Sequence, residues 1–208
     1  MNEKYHKPVK FAPSIFDSID SGVDSTELVD AAERAAHALI NHGRNTDDDE
    51  IVKNLVQLAD THGLSILSEV WEKSPARTLP GTLWRIYAIR TTINEDPEGV
   101  SNYFKSGRTV AEVSDVIAGA EEPADSKEIV KMADQILTGA FKGDFAVALE
   151  RFAAFCRVVA VGQTANADNS ELLEGQNAKT LQKASLRLLN TAEDLEVSAT
   201  LWRDGTLR

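Results

Sequence analysis

The sequence predicts an all-α protein, a multi-helix bundle of roughly seven to nine helices with a central apolar helix and a long C-terminal helix. Three observations support this fold class. Apolar residues recur at steps of three and four along most of the 208 residues. No segment alternates polar and apolar residues over the length of a strand. The last fifth of the chain repeats apolar and small residues with an average step of about 3.5, which is typical of one helix lying along another.

The composition is that of an acidic, soluble protein. Apolar residues make up 42% of the chain and charged residues 26%, and the net charge is −11. Such a chain is repelled as a whole by nucleic acid and by anionic membranes. The single cysteine, Cys156, excludes an internal disulfide, and the polar first ten residues do not resemble a secretory signal. We therefore expect a cytoplasmic protein without a membrane partner and without a cofactor.

The first part of the chain is predicted to hold an arm and three helices. Residues 1–23 are expected to be irregular, and residues 24–208 to form a single helical domain. The first helix, 24–42, is capped by Asp24 and ended by Gly43. The second opens at the acidic run 47–50, and a short third helix covers 65–73. The first helix has a predicted inner face of Leu28, Ala32, Ala35, Ala36, Leu39 and Ile40.

Residues 74–80 contain two prolines and form a possible seam between two subdomains. Pro80 suits the first turn of a helix that runs to about residue 94. Pro97 begins another helix, which is expected to end before Gly107. Thr109 with Glu112 predicts a capping box for a helix over 110–118.

Two further helices precede the C-terminal one. Ser126 is the predicted cap of 127–141, and Asp144 is the predicted cap of 145–161. The 145–161 helix is apolar nearly all round, so we expect it at the centre of the bundle. Residues 162–169 are predicted to be a polar connector.

The C-terminal helix carries a seam. Leu181, Leu188, Leu195 and Trp202 lie seven residues apart, and small residues occupy the positions between them. Small side chains let two helix backbones come close, so this helix is expected to pack lengthwise against a partner helix. That partner belongs either to the same chain, where the 145–161 helix is the candidate, or to a second copy of the protein.

Charged residues on predicted apolar faces are the candidate binding residues. Glu150 and Arg157 fall on one stripe of the central helix, and Arg90 falls inside the apolar arc of the 80–94 helix. Buried charges need partners. The favoured interpretation is a set of structural ion pairs, with Glu150 as one possible partner of Arg90. The alternative is a polar pocket in which Arg90, Glu150 and Arg157 bind a small anion.

Signatures of catalysis and metal binding are absent from the sequence. It contains no glycine-rich phosphate loop, no pair of zinc-binding cysteines and no nucleophile elbow, so no catalytic residue and no metal ligand is predicted. Glu33 and His37 are four residues apart, which fits a helical metal site poorly. Cys156 is expected to be an inert core thiol.

Basic residues outnumber acidic ones between residues 76 and 108, where Trp84 and Tyr87 are interleaved with them. This is the segment most suited to an anion or an acidic partner. Two helices within 109–137 could suggest a helix-turn-helix, but their connection is too long and the second helix is not basic. Nucleic-acid binding is therefore the least favoured function.

Three stretches resemble an uncharacterised all-helical family of actinobacterial proteins. They are LPGTLWRIY at 79–87, FAVALERFAAFCR at 145–157 and LWR at 201–203. The resemblance extends over most of the chain after the arm and implies a bacterial cytoplasmic protein. It carries over no functional residue.

The leading functional expectation is a non-enzymatic interaction or assembly protein. The seam and the missing catalytic motifs motivate it, and its partner would be a second copy, giving a homodimer, or an unknown protein. The alternative is a regulator or enzyme that binds a small anion in a pocket of the bundle. Association with nucleic acid is the third possibility.

Overall fold

The structure of the chain, a computed structural model, describes residues 25–58, 60, 67, 71–110, 125–171 and 175–208. Within these ranges it contains seven α-helices and no strand, which confirms the predicted all-α class. The arm at 1–23, residues 111–118 of the predicted helix at 110–118 and most of the short helix at 65–73 lie outside the described residues. The helices are α1 Ser25–Arg44, α2 Asp49–Val56, α3 Leu79–Glu95, α4 Pro97–Val110, α5 Ser126–Lys142, α6 Phe145–Glu171 and α7 Gly175–Arg203.

Aspartates cap four of these helices, and for α4 the cap is Asp96, whose Oδ1 accepts from the Gly99 amide at 2.9 Å. Asp48 Oδ1 accepts a hydrogen bond from the Glu50 amide at 2.8 Å, so the acidic run serves the N-terminus of α2. Asp144 Oδ1 accepts from the first turn of α6, as predicted. For the N-terminus of α5, the predicted cap Ser126 was wrong by one residue. Asp125 is the N-cap of α5 because its carboxylate accepts from two amides of the first turn.

The predicted ends of α4 and α6 were also wrong. α4 continues past Gly107 to Val110, and Thr109 lies inside it with its hydroxyl donating to the Lys105 carbonyl at 3.0 Å. Thr109 is therefore not the cap of a new helix. α6 continues past Val161 to Glu171, so the polar connector at 162–169 does not exist as such.

Close packing explains why the two glycines do not end their helices. A Cβ atom on Gly107 would lie 1.9 Å from the Val158 carbonyl oxygen. A Cβ atom on Gly162 would lie 1.8 Å from the Tyr103 carbonyl oxygen. Both glycines are buried where α4 crosses α6, and only hydrogen fits between the backbones. Both glycines allow two helices to cross closely. In the sequence, such a glycine looks the same as one that ends a helix.

α6 lies at the centre of the bundle and contacts α4, α5 and α7. Its side chains are buried on several faces, as predicted for a central helix. Phe155 stacks on Phe104 of α4 with ring centroids 5.5 Å apart, and Phe145 meets Trp202 of α7 edge to face. The side chains of α6 with the least exposure are Phe145, Ala146, Leu149, Ala153, Cys156, Ala160 and Ala167.

The seam of α7 lies against α6 of the same chain, and this is the most extensive helix contact among the described residues. The small residues of the seam and Leu195 are buried, whereas Leu181, Leu188 and Trp202 are half-buried. The Ser185 hydroxyl reaches the Ala160 carbonyl at 2.9 Å, which shows how closely the backbones approach. The intramolecular alternative therefore accounts for this seam.

The chain after α7 folds back onto α3. Gly205 takes φ +67°, and the Thr206 amide donates to the Leu201 carbonyl at 2.9 Å, which is a Schellman ending. Leu207 is then buried in the core, and the Arg208 carbonyl oxygen accepts from the Leu79 amide at 2.7 Å. These contacts hold the start of α3 to the end of α7.

The inner face of α1 is narrower than predicted. Ala32, Ala36 and Ile40 are buried, but Leu28 and Ala35 of the predicted face are exposed. The buried stripe has a spacing of four because α1 meets α3 and α5 along one line.

The possible subdomain seam at 74–80 lies between Trp71 and most of α3. Residues on both sides of it contribute to the same hydrophobic core. Trp71, just before it, donates to the Ala32 carbonyl and stacks on Tyr87 of α3 with ring centroids 6.5 Å apart. Buried residues from both sides of 74–80 form one cluster.

No helix in the described ranges has the length and apolar character needed to cross a membrane.

Candidate functional site

Arg90 is buried, with 2% of its surface exposed, and it bridges two carboxylates. Its Nε donates to Asp134 Oδ1 at 2.7 Å, and its Nη1 donates to Asp60 Oδ1 at 2.9 Å. Burial acts to lower the pKa of Arg90, but the two carboxylates outweigh burial and leave this pKa above its ordinary value. The partners of Arg90 are thus Asp134 on α5 and Asp60, and the Arg90–Glu150 pairing considered from the sequence is not the one that forms.

Glu150 and Arg157 each pair with α7. Arg203 donates to both oxygens of Glu150 at 2.5 and 2.8 Å, and this hydrogen bonding lowers the pKa of the Glu150 carboxyl. Arg157 donates to both oxygens of Glu196 at 2.8 and 2.6 Å, which raises the pKa of Arg157. The three residues predicted for an anion pocket therefore belong to three separate ion pairs, two of which fasten α6 to α7.

A groove of about 520 Å³ lies between α3 and α7 over α6. The two helices run antiparallel, and they touch where the buried Thr82 hydroxyl donates to the Ser198 hydroxyl at 2.9 Å. The groove is lined by Trp84, Ala88 and Thr92 of α3 and by Arg187, Leu188 and Thr191 of α7.

The floor of the groove is formed by α6. Phe155 and Val159 are buried there, and Gln163 lies one turn beyond Val159. Val100 of α4 adds a further apolar side chain. A volume of this size falls in the range of about 300–1,000 Å³ that is common for small-molecule sites, which are mostly apolar with a few polar groups.

Gln163 is the polar group with unmet hydrogen bonding in this groove. In the described part of the chain its Oε1 is buried and has no hydrogen-bond partner. Two other buried oxygens share this property, Thr91 Oγ1 and Ser101 Oγ, but neither residue lines the groove. An unpaired buried acceptor costs on the order of 1–3 kcal/mol.

Two arginines flank the groove. Arg85 donates through Nη1 to the Gly81 carbonyl at 2.9 Å, and its Nε lies 3.6 Å from Asp194 Oδ2. Burial lowers the pKa of Arg85 below its ordinary value, although Asp194 acts in the opposite direction. Arg187 is exposed at the α7 side. Glu72, which is also exposed, lines the groove as well.

Other chemistry considered from the sequence finds little geometric support. Among the described residues, no group of three or more histidine, cysteine or acidic side chains is arranged to hold a metal ion. Glu33 and His37 line a shallow polar depression made by α1. Cys156 is fully buried, and burial raises its pKa to about 12, so the thiol is protonated at neutral pH.

The basic segment at 76–108 is engaged within the protein. Arg77 pairs with Glu193 and Asp194 of α7, at 3.2 and 3.0 Å. Arg85 contacts Asp194, and Arg90 is buried in its own ion pairs. These three cations therefore face acidic groups of the same chain.

Comparison of the chain with protein-family models, with curated proteins and with solved structures finds no match.

Proposed function

We propose that this protein is a binding protein that takes a small, largely apolar molecule into the groove between α3 and α7. The observation that carries the proposal is the groove of about 520 Å³, whose lining is largely apolar and includes Gln163, a residue with a buried and unpartnered Oε1. A ligand with an apolar body would cover the apolar lining of this groove. Trp84 and Phe155 offer aromatic surface to such a body.

This proposal keeps the expectation of a non-enzymatic binding role and changes the kind of partner. The sequence-based argument for assembly depended on the α7 seam, and the small residues of that seam are buried against α6. The pocket considered from the sequence depended on Arg90, Glu150 and Arg157, which have carboxylate or arginine partners. The groove is formed by other residues and has room for a ligand.

A titration with the uncharged dye N-phenylnaphthylamine, whose fluorescence rises in apolar sites, tests the proposal. We expect the wild type to bind the dye with saturation. Ala88→Phe, which fills the groove, should abolish this binding. Ala35→Phe is the matched control because Ala35 is exposed on α1. Equal binding by the wild type and Ala88→Phe, or no binding by the wild type, would refute the proposal.

Self-association is the second candidate, and the exposed side chains of α1 favour it. Leu28 and Val29 are neighbours with 56% and 52% of their surfaces exposed. Adjacent exposed apolar side chains are a common feature of protein interfaces. We expect native mass spectrometry to find a homodimer in the wild type if this candidate holds, and a monomer in the double variant Leu28→Lys, Val29→Lys. A monomeric wild type would exclude this candidate.

The bacterial origin and the cytoplasmic location belong to the same proposal. Their support is the resemblance described above, the single cysteine and the acidic composition. Nucleic-acid association has the least support, since Arg77, Arg85 and Arg90 face acidic groups of the chain.

A further inference from the structure

The charges around the groove indicate which class of ligand it takes. The chain as a whole has a net charge of −11, so an anion is repelled from most of its surface. The exposed side of α7 near the groove differs. Lys179, Lys183 and Arg187 are exposed at steps of four residues, and no acidic residue occurs from 175 to 192. This basic stripe ends at the groove, which Arg187 lines.

Arg85 supplies a second cation to the groove from α3. Its contacts are the Gly81 carbonyl and one oxygen of Asp194, and Asp194 is shared with Arg77. A guanidinium has five N–H donors, so Arg85 keeps donors for a further acceptor. Burial lowers the pKa of Arg85, whereas the carboxylate partners of Arg77, Arg157 and Arg203 raise theirs. Arg85 therefore adds positive charge to the groove, with Asp194 as its carboxylate neighbour at 3.6 Å.

We propose that the ligand of this groove is an anionic amphiphile, an apolar molecule that carries an oxyanion bound by Arg187. The inference rests on the proposed function and specifies its ligand. The apolar body lies against Trp84 and Phe155, and the oxyanion lies toward the basic rim. Glu72 is the acidic group at the groove, and the two arginines outnumber it. Arginine is well suited to this role because its planar donors match oxyanions in pairs.

A matched pair of dyes tests the charge preference. Anilinonaphthalene sulfonate has the same rings as N-phenylnaphthylamine and adds one sulfonate, which stands in for a carboxylate or phosphate. We expect the wild type to bind the sulfonate dye more tightly than the neutral dye. Arg187→Gln should weaken the sulfonate dye about tenfold, as for the loss of a charge-assisted hydrogen bond, and leave the neutral dye within about twofold.

Arg151→Gln is the matched control because it removes an exposed arginine of α6 that does not line the groove. We expect it to leave both affinities within about twofold. The preference for the sulfonate dye should also decrease with added salt, since screening weakens the attraction at an exposed arginine.

The outcomes separate the two proposals. If the neutral dye binds in the groove but the sulfonate dye binds no more tightly, the anionic preference is wrong and the groove remains. The same conclusion follows if Arg187→Gln and Arg151→Gln have equal effects. If neither dye responds to Ala88→Phe, the groove itself is not the binding site.

Discussion

Arg90 illustrates how single residues hold charge in this bundle. Among the described residues, Arg90 is the one charged residue that is buried. Its partners Asp60 and Asp134 are partly exposed. These ion pairs join α3 to α5 and to Asp60. A buried pair of this kind is costly to break because the remaining charges lose their partner.

We predict that Arg90→Ala lowers the free energy of unfolding by about 2–4 kcal/mol. Both Asp60 and Asp134 lose a donor, and their partial exposure keeps the cost below that of a fully buried pair. Urea denaturation at neutral pH measures the effect. Arg151→Ala, which removes an exposed arginine, should change stability by less than about 0.5 kcal/mol. Equal effects of the two variants would show that the Arg90 ion pairs do not stabilise the fold.

The Glu150–Arg203 pair predicts a pH dependence. Arg203 lowers the pKa of Glu150 in the folded state below its ordinary value of 4.5. The pair therefore stabilises the fold above the ordinary pKa, and this contribution is lost as the pH falls through the lowered pKa. Glu150→Gln should have a lower Tm than the wild type at pH 7, and the difference should disappear in strong acid. A difference that does not vary with pH would contradict this assignment.

At the scale of whole elements, the crossing of α4 and α6 brings two helix backbones into close contact. Gly107 and Gly162 lie on opposite sides of it, and each leaves space that a neighbouring carbonyl oxygen occupies. Phe104 and Phe155 stack beside the crossing. This packing also shapes the groove, because it sets the position of the part of α6 that carries Val159 and Gln163.

We predict that Gly107→Ala and Gly162→Ala each destabilise the protein by about 2 kcal/mol or more, because the added methyl groups overpack the crossing. Gly139→Ala in α5 is the matched control. A Cβ atom there meets nothing within 4 Å, so this variant should gain about 0.5–1 kcal/mol from helix propensity. Thermal unfolding of the three variants measures the difference. Stabilisation by all three would contradict the close crossing.

At the scale of the whole molecule, the start of α3 contacts the end of α7, and the groove lies farther along the two helices. The Thr82–Ser198 hydrogen bond, the Arg208–Leu79 backbone contact and the burial of Leu207 hold one end together. Buried side chains from all seven described helices form one hydrophobic cluster. We therefore expect the described bundle to unfold cooperatively.

We predict that Leu207→Ala costs about 2–4 kcal/mol, because Leu207 is 4% exposed and fills the core beside α3. Leu186→Ala is the matched control, since Leu186 is 60% exposed on α7 and should matter by less than about 0.5 kcal/mol. Denaturation by urea compares them. A small effect of Leu207→Ala would mean that the segment after α7 does not dock on the bundle.

Periodicity predicted the helices, the central position of α6 and the seam of α7, because these depend on local spacing. It failed at Gly107 and Gly162, since a glycine required by a neighbouring helix has the same sequence signature as a helix end. It identified Arg90, Glu150 and Arg157 as charges that need partners but could not name the partners, which are distant in sequence. The sequence did not predict the groove, because its lining comes from four helices that are distant in sequence. Gln163 also falls in the predicted connector at 162–169 and not in a predicted helix.

The most direct test of the proposed groove is a two-dimensional ¹H–¹⁵N NMR titration with N-phenylnaphthylamine, followed at the tryptophan indole signals. The chain has three tryptophans, and Trp84→Phe identifies the signal of the one that lines the groove. Our account predicts that the Trp84 signal shifts to saturation while that of Trp202, packed on Phe145, stays in place. An unmoved Trp84 signal at saturating dye, or a larger shift at Trp202, would contradict the account.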